Sequence, residues 1–147
     1  FTRMQTRVCQ KIQRIITVSE SSKEDISHDH KVDISKIHVV PIGIDTDFFA
    51  PQTNIERIPG RIVSTASADV PLKGQKFLLE AIAKVRNDFP HVHLELVGKQ
   101  REGSTTAETL NQLGLDDIVR FNQGISYQQL VNLLASAEVA IVPSLYD

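Results

Sequence analysis

Arg61–Gly74, RIVSTASADVPLKG, is the stretch whose reading decides the fold. Ile62 and Val63 form the apolar centre of a short strand, and small or polar residues follow to Asp69. Lys73 stands directly before Gly74, and from residue 75 apolar positions recur at helical spacing. Small residues let a ligand come close to the backbone. A helix N-terminus offers free N–H groups and the positive end of a dipole, so an anion is favoured there. Lys73 adds a full positive charge at that mouth. On these residues alone two readings stay open. One is an ordinary strand-to-helix connection with a surface lysine; the other is a site for a phosphate-bearing ligand.

Downstream, strands and helices alternate. The stretch 61–65 reads as the first strand of this series. A helix over about 75–89 has Leu78, Ile82, Val85 and Phe89 on one stripe, beside Phe77 and Ala81, and Pro90 ends it. Val92, Leu94, Leu96 and Val97 form the second strand, closed by Gly98. Thr105 and Glu108 predict a capping box for a helix that stops at Leu113-Gly114. Residues 118–121 form the third strand. Ser126 and Gln129 cap a helix expected to bury Leu130, Leu133 and Leu134, and a fourth strand over 138–142 stops at Pro143. This βαβαβαβ series predicts an α/β fold, a parallel Rossmann-like sheet with right-handed crossovers. In the common order 3-2-1-4 the first and fourth strands are neighbours, and ligands bind beyond their carboxyl ends. Residues 64–73 would then lie beside 143–147, with Gly98-Lys99 on the same rim.

Upstream, residues 4–14 place Met4, Val8 and Ile12 four apart, with Arg3, Arg7, Lys11 and Arg14 elsewhere. The apolar stripe is narrow and lacks Trp and Phe, so the basic side reads as a solvated face rather than a membrane surface. Apolar runs at 15–18 and 37–40 read as buried parallel strands. Between them Ser19, Ser21 and Ser22 offer N-caps, and Ser21 with Glu24 fits a capping box for a helix over about 21–29. Two parallel strands cannot bury themselves, so residues 1–51 are expected to complete a sheet whose other strands lie upstream. Residues 52–60, QTNIERIPG, read as a linker, and 61–147 as the first part of a second domain.

The bulk numbers narrow the function classes. A net charge of -2 over 147 residues leaves no footprint for nucleic acid or an anionic membrane. The single Cys9 excludes an internal disulfide and suits a reducing, cytoplasmic setting. No apolar run approaches the length of a bilayer span. The start is polar and basic, without a signal peptide, and both ends read as cut, which suggests an internal fragment. His28 and His30 diverge on a helix, and His91 and His93 lack a third ligand, so no metal site is expected. A dinucleotide fold would need GxGxxG and an acid after the second strand. The loop has no glycine before Gly74, and Lys99 stands in the acid's place. A Walker loop is absent too, because Lys73 precedes its glycine.

Several segments together resemble the retaining GT-B glycosyltransferases, the group that includes sucrose synthases, glycogen synthase relatives and lipopolysaccharide or mannosyl transferases. The matching pieces are Ile16–Lys23, then Ile37–Asp45 with Phe49 and Pro51, then Lys73-Gly74. Leu96-Val97-Gly98, Val119-Arg120-Phe121 with Gly124, and Val142–Asp147 complete the set, in order and over essentially the whole chain. The resemblance implies two Rossmann-like domains across a cleft. Residues 1–51 would end the acceptor domain, and 61–147 would begin the donor domain. It implies that Lys73 pairs with the donor diphosphate, and that the Gly98 loop and Phe121–Gly124 border the nucleobase. Asp147 matches the first acid of a paired-acid motif beside the transferred sugar. Ser67, Gly74, Lys99 and Leu145 complete the implied donor contacts. One departure stands out. The family usually carries an arginine five or six residues before the lysine, where this chain has Ser67 and Ala68.

The resemblance therefore implies transfer of a sugar, with retention, from a nucleotide-diphosphate sugar to an unspecified sugar, lipid or small-molecule acceptor. No cofactor or metal is expected, and association with a membrane would be peripheral at most. The fragment alone is expected to be inactive. The alternative from another class is a non-catalytic nucleotide-binding or assembly module of α/β fold.

Overall fold

Among the described residues every strand pair is parallel. The computed structural model describes residues 2–65 and 71–145. The chain divides into two compact units, Phe1–Phe49 and Ala50–Asp147.

In the first unit, α1 (Thr2–Lys11), β1 (Ile15–Thr17), α2 (Glu20–His30) and β2 (Ile37–Val39) follow in order. β1 and β2 pair with Ile15 opposite Ile37 and Thr17 opposite Val39. Ile37, Val32 and Thr17 are buried, but Ile16, Val18 and Val40 are exposed, so the runs read as buried strands are covered on one face only. Met4, Val8 and Ile12 are exposed, contrary to the stripe read from their spacing. α1 is held to α2 through its polar positions instead: Thr6 Oγ1 lies 3.1 Å from His30 Nδ1, and Gln10 Nε2 donates to His30 O at 3.1 Å. The cap of α2 also differs from the expected Ser21–Glu24 box. Ser19 is the N-cap, and its side chain accepts the Ser22 N–H at 3.1 Å. Ser19 is extended, as an N-cap must be, whereas Ser21 is already helical. Asp33 caps the short turn Ile34–Lys36; the Ser35 N–H it accepts holds its carboxyl below the usual range.

In the second unit the elements are β3 (Arg61–Ser64), α3 (Gln75–Asp88), β4 (His93–Val97), α4 (Thr105–Leu113), β5 (Val119–Asn122), α5 (Tyr127–Ala135) and β6 (Val139–Ile141). The sheet order is β5-β4-β3-β6, so the first and fourth strands of the series are neighbours as expected. Registered partners share a face. Leu94 and Leu96 therefore stand in line with Ile62, Val119, Phe121 and Ile141. α3 and α4 cover that face with Leu78, Leu79, Ile82 and Leu110. Burying each such leucine or isoleucine is worth about 1.5–3 kcal/mol.

The buried face of α3 is Gln75, Leu78, Leu79 and Ile82, a spacing of three, four and seven from the first. Phe77 points from the far side and is 54% exposed, Ala81 and Val85 flank it, and Phe89 is already past the last helical residue. α4 is capped by Ser104, one residue before the expected Thr105, with the Ala107 N–H bonded to Ser104 Oγ at 3.2 Å. The α5 capping box of Ser126 and Gln129 is present with both hydrogen bonds. Leu130, Leu133 and Leu134 are only half-buried, and Val131 is the buried residue of that helix. α5 lies by the opposite sheet face, where polar Arg61, His93, Glu95 and Asn122 surround the buried Val63, and β6 ends the sheet among the described residues. Among the described residues no helix is long and apolar enough to cross a membrane.

Candidate functional site

The carboxyl ends of the four strands form one rim of the second unit. Beyond β3 the chain reaches a single turn, Pro71–Lys73, and then Gly74, the N-cap of α3. Gly74 has φ +66°, and a Cβ there would stand 1.9 Å from the carbonyl oxygen of Pro143. Only glycine permits both the left-handed backbone and this approach. The Leu145 N–H donates to Leu72 O at 2.8 Å. These two contacts close the lysine turn onto the chain that leaves β6, at the point where the strand order reverses.

Lys73 itself is exposed and makes no ion pair among the described residues. No side chain caps α3. Its first residue, Gln75, is 8% exposed, and Gln75 Oε1 accepts the hydroxyl of Thr106, which is 5% exposed, at 3.2 Å. The pair joins the first turns of α3 and α4. Two adjoining clefts share it. The larger, about 320 Å³, has walls from Pro71, Lys76, Phe77 and Leu145. The smaller, about 10 Å³, is a crevice with room for about one water, bounded by Lys99, Arg101, Ser104 and Phe121. Gly98 sits on the same rim, its N–H bonded to Asn122 O at 3.0 Å.

The structure thus gathers Gly74, Leu145, Lys99 and Phe121 around the Gln75–Thr106 pair, with Lys73 and Gly98 on the adjoining turns. Gly124 lies two residues beyond β5 in open space and lines neither cleft. Ser67 and Asp147 fall outside the described residues. Gln75, Thr106 and Arg101 were missed by sequence reasoning. For Gln75 and Thr106 the available signal was a polar residue in the first turn of a helix, just after Gly74 and Ser104; Arg101, in the loop before α4, had none.

Lys73, Lys99 and Arg101 carry three positive charges to this rim, and none is in an ion pair among the described residues. Such a rim attracts an anion, and Phe121 adds an aromatic wall on one side. Among the described residues no three His, Cys, Asp or Glu side chains come together as metal ligands.

Residues 59–147 match the family described as glycosyl transferases group 1, and residues 1–48 match glycosyltransferase family 4. The chain is 45% identical over its whole length to MMP alpha-(1->4)-mannosyltransferase of Mycolicibacterium hassiacum, covering 35% of that protein. It is 31% identical to D-inositol 3-phosphate glycosyltransferase of Mycolicibacterium smegmatis, over 94% of this chain and 34% of that protein. The chain thus spans about a third of the length of these curated relatives. The pneumococcal O-GlcNAc transferase GtfA, solved with UDP and GlcNAc, superposes with a TM-score of 0.72 at 17% identity. That match covers 93% of this chain and 26% of GtfA, and it concerns the fold alone.

Proposed function

The chain belongs to the group 1 glycosyl transferases, with an α/β fold of GT-B type, and from that premise we propose that its second unit holds the diphosphate of a nucleotide-sugar donor. The reading rests above all on one contact: Gly74 against Pro143, which sets the Lys73 turn beside the segment leading to Asp147. Lys73 carries the charge facing the phosphates, and the N-terminus of α3 lies behind it. Lys99, Phe121 and the Gly98 turn border the base. The first unit is the closing part of the acceptor domain, and residues 52–60 are the hinge.

Breaking the bond between sugar and phosphate leaves negative charge on the departing diphosphate. A fixed cation and helix-end N–H groups stabilise that charge as it develops. Asp147 is acidic, so it does not stabilise the leaving group. It orients sugar hydroxyls or balances positive charge on the anomeric carbon, as carboxylates do in glycosyl chemistry. The donor sugar is a hexose, with mannose the first to test, because the 45% identical relative is named a mannosyltransferase. The product keeps the donor's anomeric configuration.

In the full-length protein, Lys73→Ala should lower kcat for transfer by about 100-fold or more, the scale seen when one charge-stabilising group is removed. Unchanged turnover in that variant contradicts the site. Product NMR reads the anomeric configuration directly, and an inverted product contradicts retention.

A further inference from the structure

Glu95 lies in the middle of β4 and is 4% exposed. Side-chain alternation sets it on the face opposite Leu94 and Leu96, away from the α3–α4 core. A buried carboxylate is costly unless partners hold it, and an apolar residue of similar size would pack there at lower cost. Its cross-strand neighbours are Val63 and Arg120, and it forms no ion pair with Arg120. Glu95 Oε2 instead accepts an N–H from Asn122 Nδ2 at 2.7 Å, a short bond.

Asn122 is the last residue of β5 and stands in register with Val97, the last residue of β4. Its carbonyl takes the Gly98 N–H at 3.0 Å. One residue therefore ties the two strand ends together, by backbone on one side and by a buried carboxylate on the other. The neighbours it fixes are Phe121 and, one residue past Gly98, Lys99. Both line the small cleft beside Gln75.

We propose that Glu95 and Asn122 are positioning residues, a latch that holds Phe121 and Lys99 where the base of a donor nucleotide is recognised. The proposal rests on the donor-site reading above. Neither latch residue touches the ligand, and the diphosphate end at Lys73 is independent of the latch.

The test is calorimetric titration of the full-length protein with pyrophosphate, UDP and GDP. Glu95→Ala and Asn122→Ala should each weaken the tighter nucleotide by about tenfold, the worth of one well-made hydrogen bond, while pyrophosphate affinity stays within about twofold. Glu95→Gln keeps an acceptor for Asn122 Nδ2 and should restore nucleotide affinity to within about threefold. A uniform loss for pyrophosphate and nucleotide alike, no loss, or a Gln variant as weak as the Ala variant overturns the latch. So does an unmutated protein that binds nucleotide no more tightly than pyrophosphate. If Glu95→Ala fails to fold, Asn122→Ala, at a strand end, carries the same comparison. An unmutated protein that binds none of the three ligands contradicts the donor-site reading itself.

Discussion

Gly74 is the residue on which the local geometry turns. Its left-handed backbone and the 1.9 Å clearance to Pro143 O leave no place for a side chain. Gly74→Ala should destabilise the protein by about 2 kcal/mol or more, through strain at positive φ and collision with backbone. Thermal unfolding measures this, and an unchanged Tm contradicts the approach of the two segments. The sequence marked Lys73-Gly74 as a cation and a glycine at a strand-to-helix turn, a pattern that an ordinary connection shares. It did not show why glycine is required, since Pro143 is 69 positions away in the chain and only the sheet order brings it near. Gln75 and Thr106 stayed hidden for a related reason. Each is an unremarkable polar residue until the packing of α3 on α4 buries both.

At the scale of elements, α3 and the turn before β5 are tied by one guanidinium. Arg86 donates from Nη1 and Nη2 to the two carboxylate oxygens of Asp117, at 3.0 and 2.5 Å, and Nη1 also reaches Gly114 O at 3.0 Å. The side chains are 37% and 59% exposed, so water screens the pair. A double-mutant cycle with Arg86→Ala and Asp117→Ala should give a coupling of about 0.5–1 kcal/mol, at the upper end for a surface pair because the geometry is bidentate. A coupling near zero contradicts the clamp. Helix starts were legible to different degrees. The Ser126 and Gln129 box was legible because both members of a reciprocal cap are named by residue type. Near residues 19–22 and 104–106 several hydroxyls compete. Which one caps is decided by where the backbone leaves its extended conformation, and that depends on the neighbouring strand. The stripe on α3 was misread at Phe77, Ala81 and Val85 for want of a partner surface, since period alone cannot say which of two adjoining rows meets the sheet.

At the scale of the whole molecule, the sheet order β5-β4-β3-β6 was legible because regular alternation leaves few parallel arrangements. The latch at Glu95 was not, because a lone glutamate in a strand pattern reads as a solvent-facing residue. The chain spans about a third of its curated relatives, and the proposed chemistry needs an acceptor domain and a further acid. The 147-residue chain alone is therefore expected to transfer no sugar from a nucleotide donor; turnover by that chain would contradict this division of labour. The central claim is that the turn at Lys73 and the segment after β6 enclose one diphosphate. A crystal structure of the full-length protein with UDP or GDP tests it most directly. Phosphate oxygens are expected within hydrogen-bond reach of Lys73 Nζ and the first turn of α3, with the base toward Phe121 and Lys99. A nucleotide bound elsewhere, with the Lys73 turn empty, would contradict it.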